Sequence, residues 1–166
     1  MLDPASKPVH VQYVLADPSV QIQGTRIAAD DARALTLYRV DGVLRTSASI
    51  SGWLADTWTE PKVTWIRRDC ARGVLRVPVH SDPTLYPGVV QQIAVSGTTT
   101  PFVVRLPSTA TKTIVVPLQP RGGICRVRFA ITPSRRPADY PALNNPDPRT
   151  LGVLMSGFQY EPAHGA

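Results

Sequence analysis

Residues 124–131, ICRVRFAI, alternate one by one between two kinds of side chain. Cys125, Val127 and Phe129 fall on one face, and two arginines fall on the other. Successive side chains of a β-strand point to opposite faces, so this pattern predicts a strand with one face on a hydrophobic core.

Similar runs recur at short spacing and predict about nine to ten strands, ending with one at 151–160. Residues 28–35 are the exception, because their alanines and acidic start predict a short helical turn. Asp41-Gly42 predicts a hairpin turn, and Pro78 predicts an edge strand or a bulge, since proline cannot donate to a ladder. The pattern is typical of an all-β fold, a two-sheet antiparallel β-sandwich or jelly roll.

The composition agrees with one β-domain. The 166 residues include 17 prolines and 11 glycines, which suits turns better than helices. A chain of this length can form a single core. We expect a leader at 1–12, one domain at 13–162 and a tail at 163–166.

Two absences bear on the cellular compartment. No run approaches the roughly 18–20 apolar residues of a membrane span, and residues 1–14 lack the apolar core of a secretory signal. Taken alone, these absences favour a cytosolic protein. The two cysteines favour the opposite conclusion. A Cys70–Cys125 disulfide would stabilise the folded state by about 4 kcal/mol in the chain-entropy model. Two separate buried thiols fit the spacing equally well.

Residue patterns of catalysis are missing from the sequence. It contains no nucleotide-binding loop, nucleophile elbow or zinc-protease motif. His80, Ser81 and Asp82 have the residue types of a hydrolase triad, but neighbours on a strand point to opposite faces and cannot act together. We expect no enzyme and no catalytic residues.

The acidic residues in predicted turns make a structural calcium ion possible. Asp30, Asp31 and Asp147 offer the oxygen ligands that a structural calcium ion takes, although solvated loops have the same composition. We expect no other cofactor.

The net charge of +6 raises the question of an acidic partner, and 15 of the 18 basic residues are arginine. The arginines are scattered and are not interleaved with aromatic residues in a nucleic-acid-binding motif. We therefore expect no nucleic-acid partner.

Residues 52–70, GWLADTWTEPKVTWIRRDC, contain all three tryptophans. Turn-forming residues in the first half and alternation in the second predict an aromatic loop that leads into a core strand. Trp53 and Trp58 could offer flat faces to a ligand, or could pack into the core like Trp65.

The last third of the chain, residues 122–162, carries a resemblance. The pattern C-x-V-x-F-x-I-x-P starts at Cys125, and D-x-R-x-L-G-V follows from Asp147 after a proline-rich loop. Together with earlier pieces, the match spans roughly residues 35–162. It resembles the C-terminal extracytoplasmic β-sandwich modules of bacterial, especially actinobacterial-type, integral-membrane glycosyltransferases.

The resemblance implies a carbohydrate-binding-like jelly roll that faces the cell exterior. It implies a tether through the membrane-spanning portion of a longer chain, which is the expected protein partner, and a disulfide between Cys70 and Cys125 in an oxidising compartment. The transferase residues of such enzymes have no counterpart here, so the resemblance transfers no activity.

The candidate ligand contacts combine aromatic faces with polar groups, as sugar-binding clefts do. They are Trp53, Asp56 and Trp58, with Tyr86 and Tyr140 as outer contacts and Arg149 as a polar anchor. For Arg149, a structural ion pair with Asp147 is the alternative.

The sequence therefore favours a non-catalytic domain that binds or positions glycan for a cell-wall or surface-polysaccharide glycosyltransferase. A structural domain that packs on the membrane enzyme is the main alternative, and it predicts buried Trp53 and Trp58 and no aromatic groove. A jelly-roll hydrolase or lyase is the second alternative, and it requires two carboxylates facing one cleft.

Overall fold

The computed structural model describes residues 10–163 and is built almost entirely from antiparallel strands. The strands are β1 (Tyr13–Ala16), β2 (Val20–Ile22), β3 (Thr25–Asp30), β4 (Leu35–Arg39), β5 (Thr46–Trp53), β6 (Thr59–Arg67), β7 (Gly73–His80), β8 (Val90–Ser96), β9 (Phe102–Pro107), β10 (Thr111–Leu118), β11 (Cys125–Thr132), β12 (Leu154–Met155) and β13 (Gln159–Pro162). Two single 3-10 turns, Pro137–Asp139 and Pro141–Leu143, lie in the proline-rich connection. Within the described part of the chain, no helix is long and apolar enough to cross a membrane.

Two sheets form the sandwich. The larger has the order β2-β5-β6-β11-β8-β9, and the smaller has β10-β7-β12 with β13 also paired to β7. Their inner faces share one core, to which β6 and β11 contribute Val63, Trp65 and Phe129, and β7 contributes Leu75 and Val77. Each of these side chains is at most 2% exposed, and burying one stabilises the fold by about 1.5–3 kcal/mol. The predicted antiparallel β-sandwich is confirmed.

Strand β11 lies in the middle of the larger sheet and pairs with β6 and β8. Its residues alternate strictly between buried and exposed along Cys125–Thr132, as the pattern of residues 124–131 predicts. The apolar side of this strand therefore faces the core, and its arginines face outward.

A disulfide joins Cys70 to Cys125, with the two Cα atoms 5.7 Å apart. Cys70 follows β6 and Cys125 opens β11, so the bridge connects the ends of two neighbouring strands of one sheet. The pairing implied by the resemblance is confirmed, and both residues belong to the core.

A third sheet, β1-β4-β3, packs on a small core of its own around Ala16, Ile22 and Val40. The helical turn predicted at 28–35 is wrong, because residues 25–30 are strand and pair with β4. Ala34, at φ 51°, completes the turn between the two strands. Pairing on the sheet outweighs the modest helix preference of alanine, which is a weak effect per residue.

The hairpin predicted at Asp41-Gly42 is also wrong. Strand β4 pairs with β1 and β3, whereas β5 pairs with β2 and β6 in the larger sheet. Both edges of β4 are occupied, so the turn transfers the chain between sheets. Gly42 still adopts a left-handed conformation there, at φ 99°.

Pro78 lies in the middle of the smaller sheet and not at an edge, so the predicted edge position is wrong. It faces Thr113 of β10 on one side and the break between β12 and β13 on the other. At this break the Ser156 N–H donates to the Pro78 carbonyl at 3.1 Å. A residue's N–H and C=O point toward the same neighbouring strand, so the missing proline N–H faces the interruption. The predicted final strand at 151–160 is split by this interruption.

The predicted domain, residues 13–162, lies within the described residues, whereas residues 1–9 of the predicted leader and 164–166 of the predicted tail lie outside them. Within the described part, the Gln12 carbonyl accepts a hydrogen bond from the Val40 N–H at 2.9 Å, and the Ala163 N–H donates to the Arg72 carbonyl at 2.7 Å. The boundaries stay predictions.

Candidate functional site

A short turn, residues 54–57, joins β5 to β6 at one end of the larger sheet. The Thr57 N–H donates to the Leu54 carbonyl at 3.0 Å, and Thr57 has φ 66°. Gly52 lies before this turn at φ 75°, and a Cβ there would lie 2.0 Å from the Lys62 carbonyl oxygen. A glycine is therefore required for β5 to approach β6 before the turn.

Trp53 ends β5 and is partly buried. Its indole N–H donates to the Met155 carbonyl at 2.8 Å, and its ring meets Phe158 edge-on at 5.6 Å between centroids. Both the indole N–H and the ring of Trp53 therefore contact other residues of the protein.

Trp58 is also partly buried and packs on a small cluster formed by Leu85, Tyr86 and Leu151. Its backbone bridges to Leu154. Trp53 and Trp58 are therefore both half-buried residues at this end of the sandwich.

Arg149 connects the turn to the proline-rich connection. Its Nη2 donates to Asp56 Oδ2 at 2.7 Å and to Asp147 Oδ2 at 2.6 Å, and its Nε contacts both Asp147 oxygens at 3.0 Å. The arginine side chain is 44% exposed and that of Asp56 is 45% exposed. The Asp147–Arg149 ion pair considered for the sequence is present, and Asp56 joins it.

These contacts shift two pKa values. Hydrogen bonds from the Arg149 side chain and backbone lower the pKa of Asp147 below its ordinary value. The Asp147 and Asp56 side chains raise the pKa of Arg149 further. Asp147 and Arg149 therefore stay charged at neutral pH.

A cleft of about 270 Å³ opens beside this ion pair. Its lining combines an apolar wall with polar groups from two distant parts of the chain: Leu54, Glu60, Pro61, Arg149 and Thr150. Hydroxyl, carboxylate and guanidinium groups can together donate to and accept from a polyhydroxylated ligand. We call this set the end cleft.

Tyr86 is completely buried, unlike a surface contact. Its hydroxyl donates to the Leu151 carbonyl and accepts from the Arg135 N–H at 2.9 Å, and burial raises its pKa to about 12. Its placement as an outer ligand contact needs correction, because its ring has no face open to a ligand in this structure.

Tyr140 is 39% exposed and lies in the proline-rich connection. The Arg135 guanidinium lies 4.9 Å from the centroid of its ring and 5.4 Å from that of Tyr86. Arg135 therefore links an exposed aromatic ring to a buried one, a role that no local sequence pattern indicates.

His80 and Ser81, two of the three residues that have the types of a hydrolase triad, form hydrogen bonds with residues of other strands. Ser81 is buried and donates to Gln91 Oε1 at 2.8 Å, while His80 Nδ1 lies 3.0 Å from the Thr111 hydroxyl. Gln91 Nε2 donates to the Pro133 and Gly152 carbonyls at 3.2 and 3.0 Å. This buried amide therefore attaches the proline-rich connection to β8.

Two of the three acidic residues considered for calcium, Asp30 and Asp147, contact arginines. Asp30 pairs with Arg33 at 2.6 Å, and Asp147 pairs with Arg149 as described. Among residues 10–163, no group of three or more His, Cys, Asp or Glu side chains is arranged to hold a metal ion.

No family model, curated protein or solved structure matches this chain.

The structure brings together only part of the predicted set. Arg149 lines the end cleft and is bonded to Asp56. Trp53, Trp58 and Tyr140 are not among the residues that line this cleft, and Tyr86 lies in the core. Glu60 and Thr150 also line the cleft, although neither residue was predicted from the sequence as a ligand contact. Glutamate and threonine are common at the surface of any protein, so their residue types do not mark a binding site. Their positions next to Pro61 and Arg149 are the sequence features that could have identified them.

Proposed function

We propose that this protein is a non-catalytic, extracytoplasmic glycan-binding domain that positions polysaccharide for a membrane glycosyltransferase. The link to such an enzyme rests on the sequence resemblance. The Cys70–Cys125 disulfide supports an extracytoplasmic location, because disulfides persist in oxidising compartments.

The observation that carries the proposal is one cleft with an apolar wall that Glu60 and Arg149 line, where Asp56 and Asp147 hold the arginine in place. Sugar hydroxyls donate to carboxylates and accept from guanidinium groups, and sugar C–H groups lie against apolar side chains such as Leu54 and Pro61. The cleft volume of about 270 Å³ lies just below the roughly 300 Å³ at which small-molecule pockets begin, so it suits one sugar unit of a longer chain.

The test is a titration with arabinan, mannan and galactan oligosaccharides, followed by tryptophan fluorescence. Trp53 and Trp58 lie behind the turn that carries Leu54 and are the natural reporters. We expect saturable quenching by one of these glycans. A flat response to all three would contradict the proposal.

Paired variants make the titration specific. Arg149→Gln removes a cleft cation, and Arg33→Gln removes an arginine that is also paired with an aspartate at 2.6 Å but lies on the third sheet. We expect Arg149→Gln to abolish quenching and Arg33→Gln to preserve it. The Glu60 side chain lines the cleft and forms no ion pair within the described residues. Glu60→Gln should therefore also weaken binding without breaking an internal contact.

A second candidate is a structural domain that packs on a membrane enzyme without binding sugar. The outer face of the third sheet favours it, because Tyr13, Leu15 and Ile27 are 58%, 61% and 49% exposed there. Exposed apolar patches mark interaction surfaces. In the second case, Leu15→Lys would weaken assembly with the enzyme, and no glycan would quench the tryptophans.

A further inference from the structure

The outer face of the six-stranded sheet contains a hollow of about 590 Å³ over β6, β11 and β8, bordered by β9. The cause is a pair of small side chains in register, because Ala130 of β11 lies beside Ala94 of β8. The same row continues to Lys62 on one side and Val103 on the other. The row therefore has a cation at one end, an apolar side chain at the other and open space between.

A second row of the same face supplies polar groups. Arg128 lies in the middle of this row, with Thr64 of β6 on one side and Ser96 of β8 on the other. All three residues line the hollow. A guanidinium flanked by two hydroxyls can bind a carboxylate and the neighbouring ring hydroxyls of one sugar.

The charge on this face is positive. Lys62, Arg105, Arg126 and Arg128 are exposed and point outward from their strands, against one outward acid, Glu60. None of the four cations pairs with a carboxylate within residues 10–163. The face therefore attracts anions.

We propose that this hollow binds a carboxylate-bearing, uronic-acid glycan. Arg128 and Lys62 hold the carboxylate, Thr64 and Ser96 bond to ring hydroxyls, and Val103 contacts the C–H face of the sugar. Single-stranded nucleic acids bind on aromatic platforms. The outward positions of β6, β11, β8 and β9 carry no aromatic side chain in the described residues.

This site is separate from the end cleft and does not depend on it. Glu60 and Lys62 point outward two residues apart on β6, so the two sites adjoin. The sites are nevertheless distinguishable, because Arg149 belongs to one and Arg128 to the other.

The test is calorimetric titration with a hexamer of galacturonic acid. We expect Lys62→Gln/Arg128→Gln to weaken binding about tenfold, since two exposed charge-assisted contacts are lost. Arg26→Gln/Arg72→Gln removes the same charge from other exposed positions and should change affinity less than about twofold. Equal losses in both double variants, or no binding to the unmodified protein, would overturn the proposal.

A second pair of variants tests shape. Ala130→Phe fills the hollow without changing charge, and Val115→Phe adds the same ring to an exposed position of β10. We expect only Ala130→Phe to weaken hexamer binding by about tenfold. Thermal melting of both variants confirms folding, and unchanged affinity in a folded Ala130→Phe protein would reject the site.

Two further ligands complete the test. In the Arg149→Gln variant, in which the end cleft is expected not to bind, a neutral galactose hexamer should bind at least tenfold more weakly than the acidic one. Polyphosphate or single-stranded DNA bound as tightly as the acidic hexamer would show general polyanion attraction and overturn the assignment. Arg149→Gln should leave the acidic hexamer bound, so failure of the end cleft and failure of the hollow give different results.

Discussion

Arg149 donates a hydrogen bond to Asp56 at 2.7 Å although the two residues are 93 positions apart in the sequence. The contact connects the β5–β6 turn to the proline-rich connection, and its arginine lines the end cleft. It depends on Asp147, which contacts the same guanidinium and orients it toward the turn.

Asp147→Asn tests the pH dependence of this arrangement. The folded pKa of Asp147 lies below its unfolded value of about 3.8, so its carboxylate contributes stability above that pH and loses it as pH falls through the folded pKa. We expect the unmodified protein to melt at a higher temperature than the variant at pH 7, and the difference to shrink below about pH 3.8. A difference that does not change between pH 7 and pH 2 would contradict this origin.

Tyr86→Phe should destabilise the protein by about 0.5–1.5 kcal/mol, because the hydroxyl's bonds to the Leu151 carbonyl and from the Arg135 N–H are lost while those two groups stay bonded to each other at 3.0 Å. Denaturant unfolding measures this difference. Tyr140→Phe is the control, since its ring is exposed and contacts Arg135 through its face, and we expect a change within about 0.5 kcal/mol.

The same tyrosine predicts behaviour in alkali. Its folded pKa is raised to about 12 from an ordinary value of 10.0, so the stability from its neutral form is complete below pH 10 and is lost as pH rises toward 12. Unfolding measured from pH 9 to pH 12 should show a steeper fall in stability for the unmodified protein than for Tyr86→Phe. Parallel curves would show that Tyr86 does not carry this dependence.

Reduction of the Cys70–Cys125 disulfide should cost about 4 kcal/mol in the chain-entropy model for cysteines 55 positions apart. Denaturant unfolding with and without reductant measures the loss. A Cys70→Ala/Cys125→Ala variant should match the reduced protein and show no further effect of reductant.

Gln91→Leu should destabilise the protein by about 2–4 kcal/mol. The change leaves the Pro133 and Gly152 carbonyls without a donor and Ser81 without its acceptor in a buried place. Gln92→Leu, one position along the same strand but exposed, is the matched control and should stay within about 0.5 kcal/mol. Similar losses in the two variants would reject a structural role for the buried amide.

Two predictions from the sequence failed for a common reason. Residues 28–35 and Asp41-Gly42 were each interpreted from local preferences, whereas strand pairing with distant residues decided their structure. Local preferences of this kind amount to about 1 kcal/mol or less per residue, and the hydrogen bonds and burial of a whole strand exceed them.

The sequence by itself determined the strands and their buried faces, because alternation along β6, β7 and β11 is a local property of the chain. It did not determine which strands are neighbours, since many pairings bury the same residues. Only the tertiary structure decides which strands are neighbours. In the folded protein Asp56 lies beside Arg149, Ala94 lies next to Ala130 under an open hollow, and Tyr86 lies in the core and not at the expected surface. Such contacts arise from sheet order and register, which distant segments set together.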